Sequence, residues 1–334
     1  MRPQPDTMPG SPTALRVDDL QVSVGDRLVA VRGVSFEVRP GESVGLVGES
    51  GSGKTLTCRA VLGLMPETGH VDAGTIVLGH GADAADLTRA GRRAWRQVRG
   101  IRLAAVFQDP ASYLNPSLTV GHQVDEVLRV TGGLGRAAAR VRALELLTEV
   151  GIDRAAEVYH QYPFELSGGM LQRVVLAIAI SLNPELLVAD EATTALDTVV
   201  QAEVLELLRR LRRTHGLSLL LVTHDLAVVA ETCDRVLVMY AGEIVESGPT
   251  ERVLGDPQHP YTRALMGVAS VGDWSRRTLD TIPGQPPAAG DRLPGCRFAP
   301  RCTNARDDCV AAAIPLRALS GDREARCVRV AVPA

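Results

Sequence analysis

Apolar and polar positions along this chain fall into two alternating rhythms. Short, nearly continuous apolar runs at residues 43–47, 103–107, 186–189, 218–222 and 235–240 predict strands buried on both faces, because a strand with one wet face would alternate. Between them the spacing becomes helical. Val200, Val204, Leu207, Leu208 and Leu211 share one face of a predicted helix, with arginines opposite. Strands alternating with helices predict a largely parallel sheet covered on both sides. Two further helical stretches, 120–130 and 137–150, interrupt that rhythm before the chain returns to the sheet at Leu186, and they predict a helical insertion. After Gly255 the pattern changes: residues 282–295 are rich in proline and glycine, the chemistry of a linker, and a cysteine-bearing tail follows. Residues 1–13 carry four prolines and no apolar run, which predicts a disordered lead-in rather than a signal or transit peptide.

Composition narrows the class. At 334 residues, with 45% hydrophobic and 22% charged side chains, the chain has enough apolar material for a large globular domain with an appendage or for two domains. The longest apolar stretch is the seven residues 174–180, whereas a bilayer span needs about 20, so any membrane role is expected to be peripheral. With 36 basic and 39 acidic side chains the net charge is −3, too balanced for binding that rests on neutralising nucleic-acid phosphates. Arg92, Arg93, Arg96, Arg99 and Arg102 around Trp95 are accordingly expected to form a solvated helix face.

The strand 43–47 runs into Gly48, Glu49, Ser50, Gly51, Ser52, Gly53, Lys54 and Thr55, which fill the pattern G-x-x-x-x-G-K-[ST] ahead of a predicted helix at 56–65. Glycines allow successive backbone N–H groups to turn inward around a β-phosphate, and the helix start adds its positive dipole end. Lys54 is expected to reach the β- and γ-phosphates and to be solvent-reachable without nucleotide, and the Thr55 hydroxyl to ligate Mg²⁺. The strand 186–189 leads to two carboxylates. Asp190 is expected to hold the metal and Glu191 to orient or deprotonate an attacking water.

The remaining motifs carry a family resemblance. Gln108 follows the strand 103–107, Leu166-Ser167-Gly168-Gly169-Met170-Leu171-Gln172 opens a helix predicted at 170–181, Ala195-Leu196-Asp197 comes next, and His224 sits in Val222-Thr223-His224-Asp225. In this order they resemble the Q-loop, signature motif, D-loop and switch histidine of the ATP-binding subunits of ATP-binding cassette (ABC) transporters, over about residues 15–255. The resemblance implies an α/β P-loop NTPase cassette: a RecA-like parallel-sheet core with a β subdomain, a helical insertion at about 115–180 and a small cysteine-bearing C-terminal extension. It implies boundaries of 1–13 for the lead, 14–255 for the cassette and 256–334 for the extension. It also implies ATP and Mg²⁺ as ligands, with Gln108 joining Thr55 and Asp190 at the metal. Two cassettes would pair head to tail, so that Ser167, Gly168, Gly169 and Gln172 meet ATP bound by the partner. Val24 stands where the family usually stacks an aromatic ring on adenine.

Phe107-Gln108-Asp109-Pro110, Leu114-Asn115-Pro116, Tyr162-Pro163-Phe164-Glu165-Leu166 and His259-Pro260-Tyr261-Thr262-Arg263-Ala264-Leu265 resemble the oligopeptide, dipeptide and nickel importer branch, and the chain resembles the first of its two cassette subunits. That resemblance implies two transmembrane permease subunits, a second, different ATPase subunit, an extracytoplasmic substrate-binding protein, and a place on the cytoplasmic face of the cell membrane. Phe164 stands where histidine is frequent in the branch. A soluble cassette ATPase acting on nucleic acid or the ribosome is the alternative, and the segment 259–265 argues against it. Cys58 and Cys233 lie among apolar residues and read as buried packing. Cys296, Cys302, Cys309 and Cys327 are separated by five, six and seventeen residues, none the short gap of a zinc knuckle. The branch resemblance implies a four-iron four-sulfur cluster there; zinc, or thiols without metal, are the alternatives.

Overall fold

The structure is a computed structural model that describes residues 12–192, 198–269, 282–291 and 293–330. Most of the expected lead-in, and Asp197, lie outside the described residues.

Five strands form the parallel centre. β1 (Leu15–Val24) and β2 (Leu28–Val38) come first and belong to a separate antiparallel sheet, completed by β4 (Gly69–Leu78) and β5 (Ala85–Asp86) in the order β2-β1-β4-β5. β3 (Ser43–Val47) opens the main sheet and leads into α1 (Lys54–Leu62). After α2 (Arg92–Val98), the sheet gains β6 (Leu103–Phe107), β7 (Leu186–Asp190), β8 (Ser218–Val222) and β9 (Arg235–Tyr240), with β9, β3, β8, β7 and β6 pairing parallel in that spatial order. The continuous apolar runs that predicted these strands have a direct cause: both faces are covered. On β7, Leu187 and Ala189 pack into a core shared with the helical insertion, while Leu186 and Val188 pack into a second core shared with α1 and the antiparallel sheet.

The helical insertion comprises α3 (Val120–Glu126), whose continuation at Val127–Thr131 widens into a π turn, then α4 (Arg136–Glu149), α5 (Ala155–Val158) and α6 (Gly168–Ile180). α7 (Thr198–His215) buries Val204, Leu207, Leu208 and Leu211, as its spacing predicts. Of the arginines near Trp95, Arg92, Arg93, Arg96 and Arg99 are exposed, Arg99 lying over the indole at 4.4 Å, and Arg102 pairs with Glu185.

The chain beyond residue 240 does not form a layer of its own. β10 (Glu243–Pro249) pairs antiparallel with β9, which α8 (Leu226–Thr232) precedes, and past α9 (Thr250–Gly255), α10 (Pro260–Ala269) and α11 (Asp307–Ala311), β11 (Arg317–Leu319) and β12 (Arg323–Ala325) add to the same sheet through β10. Residues 282–291, which read as a linker, are held down by arginines. Arg32 and Arg297 donate to the Ala288–Asp291 carbonyls, and Arg301 donates to those of Ile282 and Pro283. Proline-rich chain leaves many carbonyls unpaired, and three guanidinium groups take them.

Candidate nucleotide site and cysteine cavity

Because β3, β6, β7 and β8 run parallel, their C-terminal ends open on one edge of the sheet, where α/β folds bind ligands. β3 delivers the loop 48–55 there. Gly48 sits at φ +153, and a Cβ on it would lie 2.1 Å from the Met239 carbonyl oxygen, so the first turn of the loop presses on β9 where only glycine fits. α1 starts at Lys54 with Gly53 as a left-handed cap and no acid in its first turn, leaving its positive end free to face an anion.

Lys54 is only 5% exposed, and its Nζ donates to the Gly48 carbonyl at 2.7 Å and to the Glu49 carbonyl at 3.0 Å. The expectation of a solvent-reachable ammonium is therefore corrected: a desolvated cation must be paired with acceptors, and here these are carbonyls of its own loop. Burial pulls its pKa below the usual lysine value, partly offset by Glu191 and Asp190.

Asp190 ends β7, 7% exposed, with its Oδ1 lacking a hydrogen-bond partner among the described residues. Burial first, then the adjacent Glu191 charge, pushes its pKa up. Glu191 takes a left-handed backbone at φ +50, at a cost of about 1 kcal/mol for a side chain with Cβ, and its N–H donates to the Val222 carbonyl at 2.9 Å. In that conformation its Oε1 comes within 3.5 Å of His224 Nδ1, which follows β8. Gln108 and Thr55 are exposed at the same edge, after β6 and in the first turn of α1. Lys54, Asp190, Glu191 and His224 thus converge from loops far apart in sequence.

Ser167 caps α6, its Oγ accepting the Met170 N–H at 3.3 Å, and Ser167 and Gly168 are exposed. Gln172 departs from expectation. It is 0% exposed, and neither amide atom has a partner among the described residues. It shares the inward face of α6 with Leu176 and Ala179, at i+4 and i+7, and so does not share the exposed surface of Ser167. Val24 ends β1, half-buried, in the antiparallel sheet.

Two contacts to the loop had no sequence signal. The Tyr261 hydroxyl accepts the Glu49 N–H at 2.8 Å, and Arg301 pairs with the Glu49 carboxylate across 252 residues of sequence. Sequence resemblance singled out the segment around Tyr261 without indicating this role; nothing singled out Arg301.

The four C-terminal cysteines line one cavity of about 20 Å³, together with His259 and Phe298. Gly295 permits the fold there, since a Cβ would stand 2.2 Å from the Cys309 carbonyl, and Cys296 N–H donates to that carbonyl at 2.7 Å. Burial raises the Cys296 thiol to about 11 and raises Cys302 as well. His259 is 1% exposed, and burial lowers its pKa to about 3. Its Nδ1 accepts the Tyr261 N–H at 3.1 Å and its ring also bonds the Arg326 backbone, so this neutral imidazole forms wall. Among the described residues no group of three or more His, Cys, Asp or Glu side chains stands arranged to hold a metal ion, so the expected iron–sulfur or zinc centre is not established. Cys58 and Cys233 are buried in the two cores, as expected.

The ABC transporter family matches residues 31–194, and the family described as the oligopeptide/dipeptide transporter C-terminal region matches residues 245–309. A Brucella melitensis protein named as a peptide import ATP-binding protein is 46% identical over 310 residues, covering 90% of this chain and 92% of that one. The chain belongs to the ABC transporter family. A Brucella abortus protein likewise named as a peptide import ATP-binding protein is 45% identical to this ABC protein over 316 residues, 94% of each chain. Among solved structures, an ATP-binding cassette dimer in a post-hydrolysis state with ADP and phosphate superposes with a TM-score of 0.61 at 26% identity, covering 71% of this chain and 98% of that one. The cbiO1 protein of Clostridium perfringens, part of an ABC transporter complex, gives 0.63 at 26% identity, over 73% and 91%. The ABC cassette fold is therefore that of the solved relatives. Among the described residues no helix is long and apolar enough to cross a membrane.

Proposed function

We propose that this chain hydrolyses ATP to energise peptide import through a multi-subunit ABC transporter. One observation carries the chemistry: the Glu191 carboxylate stands 3.5 Å from His224 at the edge where the Lys54 loop opens. A water held between these two groups and a γ-phosphate can lose its proton to Glu191 while His224 orients it, and Lys54 leaves its loop carbonyls for the phosphates. Mg²⁺ fits the oxygen donors Thr55, Gln108 and Asp190, and the unpartnered Asp190 Oδ1 supports that fit. When bound, the ion would neutralise charge on the phosphates.

Ser167, Gly168 and Gly169 open α6 with free N–H groups and the positive end of a helix, which supports a head-to-tail pair in which they face the partner's γ-phosphate. Asp197 belongs to the same proposed interface. Val24 on the adenine side supplies apolar contact without ring stacking. The cassette occupies 14–255 and the extension 256–334 in this reading. The partners are two permease subunits, a second and different cassette, and a substrate-binding protein outside the membrane, with this chain on the cytoplasmic face. The peptide substrate rests on the Brucella relatives and on the C-terminal family match. A four-iron four-sulfur cluster at Cys296, Cys302, Cys309 and Cys327, with zinc as the second reading, rests on the branch resemblance alone, since the cavity these residues line, about 20 Å³, has room for about one water. Such a centre would cross-link the loops that carry its ligands.

Lys54→Ala tests the reading. In the complex assembled with its neighbouring subunits it should abolish both ATP hydrolysis and uptake of labelled peptide while the chain stays folded and assembled. Hydrolysis within a few-fold of wild type would refute the site.

A further inference from the structure

Arg301 lies in the cysteine-bearing extension, one residue before Cys302, yet its side chain ends on the phosphate loop. It is 3% exposed. Its Nη1 donates to Glu49 Oε2 at 2.7 Å and its Nη2 to Glu49 Oε1 at 3.1 Å, a bidentate pair. The remaining donors are also committed: Nη1 to the Tyr240 hydroxyl at 3.2 Å, Nη2 to the Ile282 carbonyl at 2.9 Å and Nε to the Pro283 carbonyl at 2.9 Å. All five N–H bonds of the guanidinium are thereby used, and its carbon stands 5.7 Å from the ring centre of Tyr240 and 5.9 Å from that of Phe298. Few geometries of an arginine are so completely determined.

What it determines is Glu49. The backbone N–H of Glu49 is bound by the Tyr261 hydroxyl at 2.8 Å, and Tyr261, fully buried, comes from α10. Its carbonyl is one of the two main acceptors of Lys54 Nζ. Every polar group of Glu49 is therefore engaged, two of them by side chains from beyond residue 255. A loop that must offer N–H groups to a phosphate at fixed positions loses affinity when it has to be ordered on binding, and a half-buried bidentate pair orders it beforehand.

We propose that Arg301 is a positioning residue for ATP binding: acting through the Glu49 carboxylate, it holds the phosphate loop in its binding conformation, which makes the C-terminal extension part of the nucleotide site. The proposal rests on the reading of the Lys54 loop as the ATP site.

The test compares Arg301→Gln, Arg301→Lys, Glu49→Gln and the Glu49→Gln/Arg301→Gln double variant in the assembled transporter, with KM for ATP and kcat measured separately. Arg301→Gln should raise KM by about tenfold, an ordinary size for coupling between linked positions, with kcat at saturating ATP within about twofold of wild type. Arg301→Lys should recover only part of this, since an ammonium cannot make the bidentate pair and reach both carbonyls. Glu49→Gln leaves the bonds of Arg301 to Tyr240, Ile282 and Pro283 in place, so the extension stays folded, and KM should rise to a similar degree. The double variant should be no worse than Arg301→Gln. An unchanged KM in either single variant overturns the proposal, even where thermal stability falls, because that pattern means Arg301 only anchors the tail. Fully additive effects overturn it too. Lys54→Ala separates this from the underlying reading: if that variant binds ATP as wild type does, the ATP site itself is misassigned, whereas loss of binding there with an unaltered Arg301→Gln defeats only the positioning role.

Discussion

At the scale of single residues, Glu191 is the most demanding position in the site. A left-handed backbone is costly for a residue with Cβ, and here it carries the carboxylate to within 3.5 Å of His224. Glutamine has the same shape and backbone preferences but no basic oxygen. Glu191→Gln should therefore retain ATP binding and leave the paired state with bound ATP to accumulate, while turnover falls by about 10² to 10⁴. Rapid filtration with labelled ATP and a steady-state phosphate assay check the two halves; a variant that neither retains ATP nor stays paired would remove Glu191 from the catalytic role. Lys54 teaches the complementary point. The motif singled out Lys54, but not its burial or its bonds to the Gly48 and Glu49 carbonyls, which depend on how the loop folds.

At the scale of elements, α6 divides its work by face. Its first turn is exposed and carries Ser167 as cap, while its inward side buries Gln172, Leu176 and Ile180 against the sheet and insertion. The signature read as one string of sequence therefore splits in space. Ser167→Arg should lose the cap, worth about 1 kcal/mol, and place a bulky cation where a phosphate would approach. Nucleotide binding at Lys54 of the same chain should persist, and hydrolysis should fail at the site whose loop belongs to the partner. Pairing the variant with a partner cassette whose own lysine is disabled assigns the defect to one site; loss of ATP binding in a folded Ser167→Arg chain would contradict the head-to-tail arrangement.

At the scale of the whole molecule, the extension and the cassette share a sheet, through β10, β12 and β11, and share the Arg301–Glu49 pair. Protein prepared without oxygen should contain iron and acid-labile sulfide in equal amounts. Cys302→Ser should remove both and open residues 293–330 to protease, with the cassette strands still folded but the Lys54 loop deprived of its Arg301 contact at Glu49, because thiolate–metal bonds would otherwise supply folding free energy to this small tail. Metal analysis and timed proteolysis are the measurements. Stoichiometric zinc without sulfide would reject the cluster and keep a metal; no metal would leave the cavity as packed thiols.

Local chemistry was readable in the sequence by itself: the five parallel strands from their unbroken apolar runs, the loop 48–55 from its glycines and lysine, and the carboxylates from their place at a strand end. These signals are short-range, since each depends on a residue and its near neighbours along one element. Only the tertiary structure decided how distant elements meet. It brought Glu191 to His224 by the parallel register of β7 and β8, turned Gln172 into the core, captured the proline-rich segment with three arginines, and set Arg301 on Glu49. No pattern in a linear chain encodes a bidentate contact across 252 residues, because the pairing energy exists only after the sheet has fixed both ends in space.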